Sequence, residues 1–484
     1  MKFNMEDGRN LTLLTDLYQL TMMQVYNDDE EEKIACFDMF YRKNPDKAGF
    51  AVFAGLEKII KYIKGIKFEQ DDIEYLRNLK LFDDKFLDYL KDFKFDCDIW
   101  SMPEGTVVFP GEPLLVARGP LKQVQFIETA VLNIINHQSR IATKAERIVR
   151  AADKDPVVDF GLRRAHGDTA GLDGARASYI AGMAGTSNVL AGKMFGIPVT
   201  GTMAHSFIME AGNEYEAFCK YANKYPDKTT LLVDTYDTLN SGVPNAIRVA
   251  KEIIEPTGHK LKAIRLDSGD LSYLSKEARK MLDAEGLDYV KIVASNSLDE
   301  YLIKDLKLQG NEINMWGVGE RNITAKSDPV FGGVYKLSEV EYEDGRVEPK
   351  IKISENVEKM TNPGFKTVSR LYDNQTGKAI ADVISLRSEE IDFAAPYVLK
   401  HERDRWKTKE VENYIAKELL TPIFEKGQLV YNIPTLQETR EFCKAQVETL
   451  WDEVKRFENP HEYIVDLSDG LRELKYELIE DMEK

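Results

Sequence analysis

The sequence predicts an α/β protein: an irregular parallel α/β barrel, preceded by an N-terminal α+β domain and followed by a C-terminal portion that packs back on that domain. Three observations predict it. From residue 155 onward, short apolar runs bounded by turn residues alternate with helix-like stretches, the pattern of parallel strands covered by helices. Successive runs begin about one strand–helix–strand unit apart. The polar residues of each run gather at its C-terminal end, where a parallel barrel builds its active site.

The expected N-terminal domain covers residues 1–118. It holds an amphipathic start, LTLLTDLYQLTMMQVY, β-like runs at Ile34 to Arg42 and Phe50 to Ala54, and a turn-rich stretch, EGTVVFPGEPLLVARGP, that reads as a hairpin. The barrel is expected over residues 119–335. One long helix or two cover 120–153, and the strand-like runs follow: DPVVDFG (155–161), PVTGTMAH (198–205), TTLLVDTYDT (229–238), LKAIRLDSGD (261–270), VKIVASNSLD (290–299) and NMWGVGER (314–321). Helices are expected between them at Asp173 to Met194, Ala246 to Glu255 and Leu271 to Glu285. Residues 336–484 mix strands, VEPKIKIS and KAIADVISL, with a closing helix around Thr435 to Phe457.

Composition narrows the function classes. The chain has 484 residues, 43% of them hydrophobic, enough for a large core without staples. With 65 Lys and Arg against 82 Asp and Glu, the net charge of -17 argues against a nucleic-acid surface. An anionic small substrate remains open, provided a local basic pocket works against the global field. The acidic run DDEEEK, Asp28 to Lys33, reads as a solvated loop. Cys36, Cys97, Cys219 and Cys443 form no CxxC pair, so neither zinc nor a disulfide framework is expected, which suits a reducing cytoplasm. The start MKFNMEDGRN lacks the apolar core of a signal peptide, and no apolar run approaches the roughly 20 residues of a membrane helix. A cytoplasmic protein, off the membrane, is the expectation.

Chemistry is sought at the strand ends: Phe160 to Arg163, Thr202 to His205, Asp234 to Asp237, Arg265 to Asp270, Ser295 with Asn296, and Gly317 to Gly319. An aspartate after a strand is often only the cap of the next helix, and that reading is weighed evenly for Asp270 and Asp299. It does not account for two arginines and a histidine. Arg163 and Arg265 suit phosphate or carboxylate through their planar forks. Arg265 lies within an apolar strand, where an unpaired charge is costly, so a partner anion is required, internal or bound. Asp267, two residues on, points to the same side. Gly317 and Gly319 leave backbone amides open to a phosphate oxygen. His205, taken alone, reads as a satisfied interior histidine. Its place changes that: it closes a run pointing into the expected mouth, Thr202 lies just upstream, and Asp234 sits at the corresponding height on the next strand. A carboxylate holding one ring nitrogen leaves the other as a nucleophile. His166 suits the site's border and a turn equally, and His137, His259, His401 and His461 are read as structural.

The ordered set TDLYQLTM, FGLRRAHGDTAGLDGARASYIAGMAGTSN, GTMAHSF, VDTYD, IRLDSGDL, ASNSLDEYLI and GVGERNITAKSDPVFGGVYKL spans nearly the whole chain and resembles the nicotinate phosphoribosyltransferase family. The resemblance implies a type II phosphoribosyltransferase fold and a homodimer whose active sites use both subunits. It implies a reaction of nicotinate with phosphoribosyl pyrophosphate to nicotinate mononucleotide and pyrophosphate, coupled to ATP hydrolysis, requiring Mg²⁺ and serving NAD salvage. It places Phe160 as one wall of a ring clamp, with Tyr18 as the other, contributed across the dimer interface. It makes His205 the residue phosphorylated by ATP, Asp234 its orienting partner, and Asp267 a neighbour of ribose and metal. Arg163, Thr202, Arg265, Ser295, Asn296, Gly317 and Gly319 join the substrate-binding set, while the metal ligands stay unassigned.

Nicotinamide-using relatives carry an aspartate after a Gly-Thr pair in a segment read here as helical. This chain has Gly185-Thr186-Ser187, and a serine at 187 donates to a carboxylate that an aspartate would repel. Nicotinate is therefore the expected base. One departure stands out: many members have threonine after GVG, where this chain has Glu320 and Arg321, so either Arg321 compensates or the glutamate aims elsewhere. The two adjacent acids of a type I phosphoribosyltransferase are missing, LLVDTYDT having isolated acids only. The alternatives are a nicotinamide or quinolinate phosphoribosyltransferase, or a catalytically silent ligand-binding relative. A metal-dependent hydrolase lacks HxH or HExxH spacing.

Overall fold

In the computed structural model, residues 9–29, 31–353, 360–400 and 406–482 are described, so Glu30 of the acidic run, Ser354 of VEPKIKIS and His401 lie outside the described residues. They form two compact units, one from residues before 141 and after 329, the other Ile141–Pro329.

The Ile141–Pro329 unit is built on a six-stranded parallel sheet in the order Gly185–Thr186, Val157–Asp159, Met315–Val318, Lys291–Ser295, Ala263–Leu266 and Thr230–Leu232. The expected mixed α/β class with a parallel sheet is what the chain adopts. Its hydrogen-bonded order ends at Gly185–Thr186 and Thr230–Leu232. Parallel strands are apolar on both faces because helices cover both, and Leu231, Leu232, Ile264, Ile292 and Ala294 are indeed fully buried. Register aligns the strand ends: Val318 pairs with Asp159, Asp159 with Thr186, Ser295 with Gly317, Ala294 with Leu266 and Leu232 with Arg265. The residues that follow each strand therefore emerge along one edge.

Two readings of this unit are corrected. PVTGTMAH is not a strand: it makes one bridge, Val199 to Thr186, and His205 opens the helix His205–Glu210. Val199 is 51% exposed and Gly201 and Ala204 are exposed, so the run lacks the apolar residues that an interior strand must bury. The helix expected from Asp173 to Met194 is two, Asp168–Ile180 and Val189–Phe195, with the Gly185–Thr186 strand between them. Gly182 at φ 110° turns the chain out of the first helix. Gly185 then enters the sheet where a Cβ would lie 2.6 Å from the Pro198 carbonyl oxygen.

The other unit joins the two ends of the chain. Its seven-stranded sheet runs Val347–Pro349, Gly333–Glu341, Ile34–Tyr41, Leu115–Pro120, Asp98–Ser101, Thr421–Glu425 and Gln428–Leu429. EGTVVFPGEPLLVARGP is not a hairpin: Val107–Val108 pairs with Ala51–Val52, while Leu115–Pro120 lies between Ile34–Tyr41 and Asp98–Ser101. Pro110 and Pro113 in the connection cannot donate to a ladder, which forces the two strands apart. The stretch 120–153 is two helices, Leu121–Val124 and Glu128–Ala152. The closing helix is Leu436–Glu448, shorter than expected and capped by Thr435 with Glu438.

A second sheet in this unit, of four strands, carries a buried ion pair. Arg370 of Lys366–Asp373 faces Asp382 of Ala379–Leu386 in direct register, and both side chains are fully buried. Arg370 donates to both Asp382 oxygens at 2.7 and 2.6 Å and to the Val107 carbonyl at 2.9 Å. Tyr463 donates to Asp382 at 2.9 Å, and its ring stacks on Phe109 with centroids 3.7 Å apart. Glu112, also buried, accepts from the Phe109 amide; burial, and then Asp382, push its carboxyl well above the ordinary range. No helix among the described residues is long and apolar enough to cross a membrane.

Candidate active site

The aligned edge of the parallel sheet gathers the chemistry. Arg265, the third residue of Ala263–Leu266, has a hydrogen-bond partner on every side-chain nitrogen. Nε donates to Ser295 Oγ at 2.8 Å, one terminal nitrogen to Thr202 Oγ1 at 2.9 Å, and the other to Asp267 Oδ1 at 2.9 Å. Asp267 is thus the internal anion that a charge in an apolar strand requires. Ser295 also donates to Asp267, closing a three-residue ring of contacts. The Arg265 side chain is 12% exposed, and its guanidinium keeps N–H donors beyond those three bonds, fixed in direction and able to meet an anion.

Phe160 follows the Val157–Asp159 strand, anchored by its amide on the Val318 carbonyl at 2.8 Å. The Arg265 guanidinium carbon lies 5.6 Å from its ring centroid. Gly317 has a definite role in this arrangement: a Cβ there would stand 2.5 Å from Phe160 Cε2, so the glycine gives its volume to the ring. At Gly319 a Cβ would come within 3.0 Å of the Phe160 carbonyl oxygen. Both glycines are explained by Phe160 before any phosphate is considered.

His205 and Asp234 meet, though from a helix start and not from a neighbouring strand end, His205 Nε2 lying 3.2 Å from Asp234 Oδ1. The Asp234 side chain is 1% exposed, that of His205 39%. The second Asp234 oxygen accepts from the Asp267 amide at 2.9 Å and from Ser268 Oγ at 2.6 Å, which orients the carboxylate and ties the histidine pair to the Arg265–Asp267 pair. With Asp234 accepting from Nε2–H, Nδ1 carries the free lone pair.

Arg163 lies in the turn Leu162–Arg164, is exposed, and makes no ion pair among the described residues. His166 is exposed just beyond it. Ser187 is half-buried, its amide donating to the Asp159 carbonyl at 2.9 Å; it follows a strand, not a helix as read from sequence. Asn296 is exposed at φ 88°, followed by Ser297 at φ 52°, so the chain leaves Lys291–Ser295 through two left-handed residues in succession. Tyr18 lies on the helix Leu17–Asp28 of the other unit, 47% exposed. Asp270 and Asp299 cap the helices Leu271–Ala284 and Glu300–Leu308. Glu320 pairs with Lys326 at 2.6 Å and sits 3.9 Å from Arg164; Lys326 first of all holds its carboxyl below the usual range. Arg321 turns to Asp299 at 3.0 Å, so the offset to Glu320 comes mainly from Lys326.

Sequence reasoning missed Asp159, Thr186 and Ser268. The signal for Asp159 was present in PVVDFG, a carboxylate closing an apolar strand, open to the argument applied to Arg265.

Family models match almost end to end: the nicotinate phosphoribosyltransferase N-terminal domain over residues 13–136, the nicotinate phosphoribosyltransferase family over 156–374, and the C-terminal domain over 365–475. The nicotinate phosphoribosyltransferase of Bacillus subtilis is 44% identical, covering 98% of each chain. The Homo sapiens enzyme of that name is 32% identical over 96% of this chain and 95% of its own. Among solved structures, human nicotinic acid phosphoribosyltransferase superposes with a TM-score of 0.83 at 29% identity, covering 96% of this chain and 100% of that one. A nicotinate-nucleotide pyrophosphorylase from Pyrococcus furiosus gives 0.67 at 25%, covering 93% and 98%. The chain belongs to the nicotinate phosphoribosyltransferase family of enzymes.

Proposed function

We propose that this enzyme transfers the phosphoribosyl group of phosphoribosyl pyrophosphate to the ring nitrogen of nicotinate, releasing pyrophosphate, and couples the transfer to ATP hydrolysis through phosphorylation of His205. The observation that carries the reading is the convergence of Phe160, the Arg265–Asp267 pair and the His205–Asp234 pair on one sheet edge. In the transfer, the nitrogen lone pair forms a bond to the ribose carbon while the bond to pyrophosphate breaks; positive charge builds on the sugar in the transition state and ends on the pyridinium nitrogen. A protein serves that step by holding the ring below the sugar and neutralising the phosphates. Phe160 offers an aromatic face for the ring, with Tyr18 of a partner subunit as the opposite wall in a homodimer. Arg265, pre-positioned by its three contacts, and unpaired Arg163 are the cations for carboxylate and phosphate. Thr202, Ser295, Asn296, Gly317 and Gly319 belong to the same edge.

Mg²⁺ is expected to arrive with the substrate's phosphates. Among the described residues no three His, Cys, Asp or Glu side chains converge as a metal cage, which fits an ion held by phosphate oxygens and at most one or two carboxylates. The reaction belongs to NAD salvage in the cytoplasm.

The test is pyrophosphate release from phosphoribosyl pyrophosphate with nicotinate, nicotinamide or quinolinate, each with and without ATP. Fastest release with nicotinate, raised by ATP, is expected. Faster release with nicotinamide or quinolinate would move the enzyme to the alternative base, and no release with any of them would leave a silent relative. Ser187→Asp tests the base assignment separately. Placing a carboxylate against the nicotinate carboxylate is expected to cost nicotinate kcat/KM about 2 kcal/mol, roughly 30-fold, and to spare nicotinamide. Equal losses for both bases would remove Ser187 from the specificity argument.

A further inference from the structure

We infer that Asp159 is a positioning residue for the base-binding end of the site, locking the Phe160 turn to the Thr186–Asn188 segment through its carboxylate. The inference rests on the proposed function. Asp159 is 1% exposed and has no cation partner among the described residues. Its Oδ1 accepts from the Gly161 amide at 2.9 Å, and its Oδ2 from Thr186 Oγ1 at 2.8 Å. Thr186 Oγ1 in turn accepts from the Asn188 amide at 3.0 Å, and the Asp159 carbonyl accepts from the Ser187 amide at 2.9 Å. Asp159, which precedes Phe160, thus holds Gly161 on its other side, Thr186 and Ser187 directly, and Asn188 through Thr186.

A carboxylate is a costly choice for that position. Burial pushes its pKa up, against the downward pull of the Thr186 and Gly161 hydrogen bonds. A buried acid without a cation persists where its acceptor-only character is needed, because both contacts here are donors aimed at two separate oxygens. The surroundings are shaped to it. A Cβ on Gly161 would stand 2.9 Å from Asp159 Oδ1 and 2.5 Å from Ile323 Cβ, so the turn closes over the carboxylate only as glycine. The consequence is a fixed spacing between the aromatic wall and the residue facing the base's substituent, while the Arg265–Asp267 and His205–Asp234 pairs make none of these contacts.

The experiment is steady-state kinetics of Asp159→Asn and Thr186→Val, with Thr186→Ser as the conservative control. The pyridine base is whichever the wild type turns over, so failure of the nicotinate assignment leaves this test standing. The asparagine puts a donor where one of the two donors now ends, and the valine removes the same link from its other side. Both are expected to raise KM for the base about tenfold or more, with KM for phosphoribosyl pyrophosphate and ATP hydrolysis within about twofold of wild type. Thr186→Ser is expected to restore the base KM. A merely structural role would lower the yield of folded protein or impair all three together, raising both KM values and slowing ATP hydrolysis. Should Asp159→Asn not fold, Thr186→Val and Thr186→Ser carry the comparison alone. An unchanged base KM in folded Thr186→Val, or equal rises in both KM values, overturns the inference.

Discussion

His205→Ala is expected to take up no acid-labile phosphate from ATP and to hydrolyse ATP at least about 10³-fold more slowly than wild type, while keeping slow, ATP-independent release of pyrophosphate. The expectation follows from how the imidazole is held. Asp234 is buried and saturated on its far oxygen by the Asp267 amide and Ser268, so its near oxygen is aimed at His205 Nε2 and little else. The opposite nitrogen keeps its lone pair, and the half-exposed ring can meet a phosphate. In the proposed attack on the γ-phosphorus of ATP, the N–P bond would form as the bond to ADP breaks, and water would later cleave the N–P bond. Alanine removes the nitrogen proposed to carry the phosphoryl group, yet it leaves the Arg265–Asp267–Ser295 contacts and Phe160 in place. Transfer and coupling should therefore separate. Mass spectrometry of protein incubated with ATP, run under alkaline conditions, measures the coupling; pyrophosphate release without ATP measures the transfer, and its rise with ATP measures their link. Phosphate on His205→Ala at the wild-type level would assign the coupling to another residue. Loss of ATP-independent release as well would make His205 part of the transfer step itself.

Much of this site was legible because parallel strands leave few choices. Strands buried on both faces must be short and apolar, so their polar residues crowd at one end, and register then delivers Phe160, Asp234, Asp267, Asn296 and Gly319 to one edge. His205 shows the limit of that reasoning. PVTGTMAH fits the pattern of apolar runs bounded by turn residues, but small apolar residues are not burial, and the run is largely exposed. The histidine reaches Asp234 from the first turn of a helix instead. The Gly185–Thr186 strand was illegible for a different reason: two residues carry no periodicity, and pairing with Val157–Asp159 is a long-range fact. The same holds for the valines of EGTVVFPGEPLLVARGP, whose partners were decided by two prolines and by strands elsewhere in the chain. Family resemblance supplied Tyr18, which local pattern treats as an ordinary helix aromatic.

Arg370→Met should destabilise the unit that joins the two chain ends by about 3–5 kcal/mol, with little direct effect on the chemistry proposed for the other unit. Methionine fills much of the arginine's volume, so packing alone does not account for a loss of that size. The loss comes from Asp382, left charged in a fully buried position without its cation, with only neutral donors such as the Tyr463 hydroxyl beside it. The Val107 carbonyl also loses its donor from Arg370. Removing both charges in Arg370→Met with Asp382→Leu should recover most of the loss, since a buried pair is worth little net against apolar replacements even though either half alone is costly. Chemical denaturation of the three variants measures this, and a double variant no more stable than the single one would place the cost in packing. Glu112 adds a pH dependence with a definite sign. Its folded pKa is raised above the ordinary 4.5 by burial first and Asp382 second, so the folded chain keeps a proton that the unfolded chain releases. The stability it contributes is fully present below about pH 4.5 and falls as pH rises toward the folded value. Glu112→Gln keeps the shape without the titration, so its stability relative to wild type should increase as pH is raised from acid to neutral. A difference that stays flat across that range would mean that Glu112 is already ionised in the fold and that Arg370 serves two carboxylates instead of one.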